Sequence, residues 1–393
     1  MHFYGYPREN GTYGVRNHVV VMSSVVCANG VVEEIARQVP GVLPITHTHG
    51  CSGTGEITLR TLPGIGSNPN IAALLIIGLG CEVCEASRIA EAVAPTAKPV
   101  EYLVIQEDGG TTETAKKGAV IARRMLQQTQ QEKRVEVALE HLTLGLECGG
   151  SDAFSGVTAN PAVGVVADRL IAEGGTAIIS EITEMIGTAH LLKRRAANPE
   201  VARKIEAYVN LGTDASAWDT GHLLTRGISP GNIEGGLTTN TEKSLGCIVK
   251  GGTTTINDCI PYAMKPKTKG LVIMETDGYD VESMAGMAAG GAQVIIFTTG
   301  RGATAGFAGV PVIKVSSNST TYQKVKGDID VNAGAIIDGG KTIREVGEEI
   351  FELVIQVASG ELTKPERNKQ NNFAIRQEGY HWPTLKDIVE KGL

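Results

Sequence analysis

Short apolar runs alternate with amphipathic stretches and glycine-rich turns along the first third of the chain. Residues 19–22 predict a buried strand, and 30–39 a helix with Val31, Val32, Ile35 and Ala36 on one side. Residues 43–45 make a short strand ending in His47-Thr48-His49-Gly50-Cys51. Residues 72–77 make a third strand closing in Gly78-Leu79-Gly80-Cys81, then 85–93 a helix, 100–105 a strand and 111–126 a helix. The polar stretch 127–134 is the best linker. A second unit opens with a strand at 142–146 and continues with strands at 176–179, 270–274, 292–297 and 310–315. Helices at 189–209 and 343–358 lie among them, and the tail after Thr363 has no clear core pattern. Strand and helix alternating at short intervals predict an α/β fold of two doubly wound, mostly parallel-sheet domains, residues 1–134 and 135–393.

With 42% apolar and 20% charged residues the 393-residue chain has the balance of a globular enzyme. Glycine is abundant at 49 residues while aromatics make up only 4%, which suggests tight turns and backbone that approaches a ligand closely. A net charge of −7 with no basic run argues against nucleic acid. No segment has a signal peptide's apolar core or the length to cross a bilayer, so a cytoplasmic protein is expected. Seven cysteines are an odd number for a disulfide framework, and near glycines they point to metal or catalysis.

Cys27, Cys51, Cys81 and Cys148 each follow an apolar strand-like run. In a parallel sheet the carboxyl ends of all strands share one edge, where ligands bind, so residues far apart in sequence converge there. Thiolates with imidazole and carboxylate suit a borderline metal such as iron. Buried cysteines are also common as plain core residues. His47 and His49, two apart in a turn, are candidate metal ligands or acid and base, and the spacing does not choose between these roles. Glu147, Ser151 and Asp152 sit among glycines that would leave N–H groups for a substrate carboxylate. Arg16, Lys243 and Arg301 are cationic candidates for the same anion, and Asn29 is a further candidate substrate contact.

Other motifs fail. Val83 stands where a dinucleotide fingerprint needs its third glycine, and Ala335 where a P-loop ending at Lys341 needs its first. Cys81-Glu82-Val83-Cys84 has redox-pair spacing without the usual flanks.

Several of these stretches also carry a family likeness: Gly5-Tyr6-Pro7-Arg8, Gly14-Val15-Arg16-Asn17, Cys27-Ala28-Asn29-Gly30, His47 to Cys51, and Gly78 to Glu82. Glu147-Cys148-Gly149-Gly150-Ser151-Asp152-Ala153-Phe154-Ser155-Gly156 follows, then Gly231 to Thr239, Glu242 to Gly246, Thr298 to Gly302 and Gly347 to Ile350. Together they resemble the large catalytic region of the altronate/galactarate dehydratase family. The resemblance implies a lyase that removes water from a sugar acid with a divalent metal, Fe²⁺ or Mn²⁺. An iron–sulfur cluster is the alternative cofactor. In that scheme Cys27, Cys51, Cys81 and Cys148 form the metal or cluster wall. His47 or His49 is the base or a ligand, Glu147 and Asp152 are catalytic, and Lys243 and Arg301 grip the acid. Many family members carry a small N-terminal domain ahead of this region, which implies a separate small subunit and an oligomer. The large subunit of sulfolactate sulfo-lyase is similar, so sulfite release is a second reading. A noncatalytic ligand-binding subunit is a third.

Overall fold

The computed structural model describes residues 1–52, 55–219 and 228–376. The strands in chain order are β1 (His2–Pro7), β2 (Tyr13–Gly14), β3 (His18–Ser23), β4 (Leu43–Ile45), β5 (Ile71–Gly78), β6 (Val100–Val104) and β7 (Val135–Ala138). They continue as β8 (Thr143–Cys148), β9 (Thr176–Ile179), β10 (Ile256–Ile260), β11 (Gly270–Met274), β12 (Val294–Thr299), β13 (Val312–Ser316) and β14 (Val331–Asn332). The fold is α/β. One sheet is parallel with order β4-β3-β5-β6, and a larger parallel sheet has order β10-β11-β9-β8-β12-β13-β14. A small antiparallel sheet, β2-β1-β7, joins the start of the chain to the segment after the polar stretch 127–134.

Every residue of β5, β11 and β12 is buried, as expected for strands covered by helices on both faces. Val20, Met22, Leu74 and Ile76 of the smaller sheet share one core with Ile295 and Phe297 of the larger and with Met284 and Met287 of the helix Asp280–Ala289. The helices Glu56–Gly66 and Asp280–Ala289 meet inside this core. A Cβ on Gly64 would lie 2.7 Å from Ala289 Cβ, so glycine sets that close approach. Ile375 also packs into this core, which corrects the reading of the tail as patternless; residues 377–393 lie outside those described. No helix among the described residues is long and apolar enough to cross a membrane.

Two boundaries differ from expectation in ways that matter. The helix expected over 189–209 is divided into Ala189–Leu192, a 3₁₀ turn Lys193–Arg195, and Pro199–Asp219. Proline opens the last of these because a residue ahead of proline avoids helical backbone. The strand expected over 142–146 runs on to Cys148, so Glu147 and Cys148 end β8, in register with Phe297 and Thr298 of β12.

In each parallel sheet the order of strands reverses once, and the crevice at that reversal is where open α/β sheets bind ligands. In the smaller sheet it lies between β3 and β5, and in the larger between β8 and β12.

Candidate active site

The β3–β5 edge carries most of the cysteine and histidine candidates, and there the polar groups are spent on the protein itself. His47 Nε2 is 3.0 Å from the Ser23 carbonyl, so that nitrogen carries the proton, and Nδ1 accepts the His49 N–H at 3.2 Å. Burial pulls the His47 pKa down to about 4. His49 Nε2 faces the Ile375 carbonyl at 3.0 Å and Nδ1 faces Thr58 Oγ1 at 2.8 Å. Both rings are therefore engaged by the protein at both nitrogens and brace the turn after β4. Asn29 bridges Ser23 Oγ and the His47 carbonyl, so it braces this turn.

Cys27 and Cys81 are exposed and Cys51 half-buried on this rim, while Cys148 is buried at the end of β8 in the other sheet. Among the described residues none of the four belongs to a group of three metal-ligating side chains. Cys27, Cys51 and Cys81 share the rim of the smaller sheet and Cys148 ends a strand of the larger, so the expected group of four thiols is divided three to one. Cys84 is buried, which pushes its thiol up to about 11 and removes the redox-pair reading with Cys81. Arg16 is buried as well. Its five N–H groups meet both carboxylate oxygens of Glu366 and the carbonyls of Val15, Val357 and Glu361. With five donors and five acceptors, none is left for a substrate, so the anion role expected of Arg16 is also corrected.

The β8–β12 edge is different. Glu147 is wholly buried with Oε2 accepting from Ser180 Oγ at 3.0 Å and Ser283 Oγ at 2.6 Å. Burial pushes its carboxyl up to about 8. Cys148 Sγ lies 3.1 Å from Ser151 Oγ, and a hydrogen bond with Cys247 brings its thiol down to about 6 against the effect of burial. Glu181 receives the Cys148 N–H at 3.0 Å and pairs with Lys250, and both side chains are fully buried. Lys250 Nζ also reaches Cys247 Sγ at 3.0 Å. Glu184 pairs with Lys243 at 2.6 Å. Glu181 sits in the left-handed region at φ 71°, a strained backbone for a residue with a Cβ and one that concentrates at functional sites. Burial raises Asp280 to about 6 and lowers Lys314 to about 7.

Glu147 Oε1, Glu181 Oε1 and Glu184 Oε2 are buried and receive no N–H or hydroxyl, the Glu147 and Glu181 carboxyls sharing a hydrogen bond with each other. Buried acceptors of this kind are rare and call for a cation or water. Glu181, Glu184 and Cys247 each offer one donor atom, all within 4.8 Å of one another, and form the one such group among the described residues. The hydrogen bond to Cys148 and burial raise the Cys247 thiol, and two carboxyls with a thiol that a bound cation deprotonates suit a borderline divalent ion.

Beside this cluster opens a cavity of about 250 Å³. Ser151, Asp152, Ser155, Asn160, Glu242 and Lys243 supply its polar lining, and Val157, Leu237 and Leu245 its apolar lining. Asp152 is fixed by Ser155 Oγ, Ser317 Oγ and Asn318 Nδ2 at 2.6–2.9 Å, which makes it an organiser of the loop. Gly300 is required there, since a Cβ would lie 2.2 Å from Asp152 Cγ. Arg301 follows β12 as expected but turns to Glu234 at 2.8 Å and does not line the cavity.

Residues 5–130 match the family described as D-galactarate dehydratase/Altronate hydrolase, second domain, and residues 139–381 match D-galactarate/Altronate dehydratase, C-terminal. The chain belongs to the galactarate/altronate dehydratase family. Within that family it is 36% identical to the altronate dehydratase of Bacillus subtilis, over 96% of this chain and 78% of the relative. It is 34% identical to the galactarate dehydratase (L-threo-forming) of Escherichia coli, over 91% of this chain and 73% of the relative. The (2R)-sulfolactate sulfo-lyase subunit beta of Chromohalobacter salexigens is 32% identical, over 95% of this chain and 96% of its own length.

The sequence reading of this family member singled out Glu147, Cys148, Ser151, Asp152 and Lys243, which lie at this edge. It missed Glu181, Glu184, Cys247, Lys250, Asp280 and Lys314. A signal existed for two of them. Glu181 follows the apolar strand β9 just as Glu147 ends β8, and Lys314 interrupts the apolar strand Val-Ile-Lys-Val-Ser.

Proposed function

We propose that this carbon–oxygen lyase removes water from a sugar acid to give a 2-oxo-3-deoxy acid, in the cavity at the β8–β12 edge. One observation carries the reading: Lys243, held against Glu184, is part of a cavity wall whose other side is the buried carboxyl and thiol cluster. Taking a proton next to a carboxylate builds up negative charge, and a fixed ammonium in a water-poor site stabilises it. Against its burial, Glu184 raises the Lys243 pKa, so the ammonium stays charged at neutral pH and meets the substrate carboxylate. Ser151 lies between the cavity and Cys148 Sγ, so the Cys148 thiolate takes the substrate's α-proton through the Ser151 hydroxyl and returns it to the departing hydroxyl, which leaves as water. Glu147, pushed up to about 8, holds a proton near neutrality and stabilises the cluster without adding a further buried charge.

The cofactor implied by the family resemblance, Fe²⁺ or Mn²⁺, would be held by Glu181, Glu184 and Cys247 and would supply positive charge for the substrate's oxygens. Cys27, Cys51, Cys81 and Cys148 form no joint donor group for an iron–sulfur cluster among the described residues. A partner polypeptide belongs to the proposal, because one relative is by its name a subunit. That relative, matched over 96% of its own length, also supports a second reading in which sulfite leaves in place of water.

The test is incubation of the purified chain with Fe²⁺ and altronate, galactarate or sulfolactate. Formation of a 2-oxo-3-deoxy acid is the expected result. Sulfite release from sulfolactate alone moves the assignment to the second reading. No elimination, with or without a small partner subunit, overturns both and leaves a ligand-binding role.

A further inference from the structure

We infer that the cavity selects a sugar acid with a single carboxylate, an aldonate, over one with a carboxylate at each end, an aldarate. The inference rests on the dehydratase reading and adds to it, since the altronate and galactarate relatives match at 36% and 34% and do not discriminate between these classes.

Charge in the lining is unevenly placed. Lys243 is the one cation among the described residues that line the cavity, and Asp152 and Glu242 face the same space as carboxylates. Asp152 is held by three side-chain donors, from Ser155, Ser317 and Asn318. Glu242 Oε2 receives the Thr238 N–H at 2.8 Å and Thr238 Oγ1 at 2.6 Å, at the start of the helix Asn240–Ile248. Both carboxylates are thus anchored in place and ready to accept further hydrogen bonds. Arg301 is engaged by Glu234 and stands outside the lining.

A polyol chain ending in a hydroxymethyl group offers O–H donors to these acceptors. A second carboxylate has only acceptors and negative charge to present, so at the end of the cavity away from Lys243 it meets like charge with no second cation among the described lining residues to offset it. Glu242 is solvent-accessible, so water screens its charge, and the repulsion changes an equilibrium by roughly fivefold. A site that discriminates by such repulsion gains specificity without new contacts to the favoured ligand.

The experiment compares kcat/KM for altronate, an aldonate, with galactarate, an aldarate, on the full chain loaded with Fe²⁺. It repeats the comparison on Glu242→Gln and Glu242→Lys. Wild type is expected to favour altronate by roughly fivefold, with Gln narrowing the gap and Lys narrowing it further. Calorimetric binding of the two acids reads the same preference without turnover, and circular dichroism confirms that each variant is folded. Equal use of the two acids, or a preference for galactarate, overturns the inference while leaving the dehydratase reading standing. Folded variants with an unchanged ratio also overturn it. Binding that favours the aldonate without elimination from either acid upholds the charge preference and overturns the dehydratase reading.

Discussion

Replacing Arg16 by lysine is expected to cost stability and to leave substrate affinity unchanged. The guanidinium spends five N–H donors on five acceptors, two of them the carboxylate oxygens of Glu366 at 2.7 and 2.8 Å. Lysine has three donors and a different shape, so at least two acceptors lose their partner. Each buried polar group left unsatisfied costs about 1–3 kcal/mol, which gives roughly 2–4 kcal/mol once the partial exposure of Glu366 is allowed for. Arg16→Ala also strands the carboxylate and is expected to cost about 3–5 kcal/mol. Urea unfolding followed by far-ultraviolet circular dichroism measures the loss, and kcat and KM of the folded variant measure function. The reasoning is refuted if Arg16→Lys keeps its unfolding midpoint while KM rises about tenfold or more, the signature of a lost binding contact.

Two further outcomes follow from the site. His47 is held at about 4, below its ordinary 6.5, so the unfolded chain binds the additional proton and stability falls as pH drops from about 6.5 to about 4. The loss amounts to about 3 kcal/mol and is absent above that window; urea midpoints measured from pH 7 to 4 check it, and the slope belongs to other groups, the likewise depressed His18 among them, if His47→Gln leaves it intact. Loading with Co²⁺ is expected to give a near-ultraviolet thiolate-to-cobalt band that Cys247→Ser removes. A wild-type spectrum without the band, at full cobalt occupancy, excludes Cys247 as a ligand.

Much of the fold was legible because local pattern and tertiary burial agree. Residues 176–179, 270–274 and 343–358 were read to the residue. The two strands are apolar runs bounded by turns, and the helix begins at a reciprocal cap between Thr342 and Glu345. The helix Ala159–Ala172 was not read, since it is buried on so many sides between the larger sheet and Ile343–Ala358 that it shows no clear apolar stripe. Strands β1 and β7 are short, partly exposed and paired across more than 120 residues, so neither carries a local signal strong enough to announce the other.

For the site, the rule that strand ends converge was sound, but it treated the ends of two sheets as one place. Cys27, Cys51 and Cys81 obey it on the smaller sheet, while Glu147 and Cys148 obey it on the larger. Glu184, Lys243, Cys247 and Lys250 become meaningful only when folding pairs them, because as isolated charges on loops and helices they resemble ordinary solvated residues.

The central claim is that chemistry occurs at the β8–β12 edge, beside Lys243, and that the cysteine rim of the smaller sheet takes no part in it. Steady-state elimination by Lys243→Met and by the triple variant Cys27→Ser/Cys51→Ser/Cys81→Ser, both checked for folding, tests this directly. The lysine variant is expected to lose about 10²–10³ in kcat/KM, as for loss of a group that stabilises developing charge, while the triple variant stays close to wild type. The opposite pattern, an active lysine variant and an inactive triple-serine protein, would contradict the account.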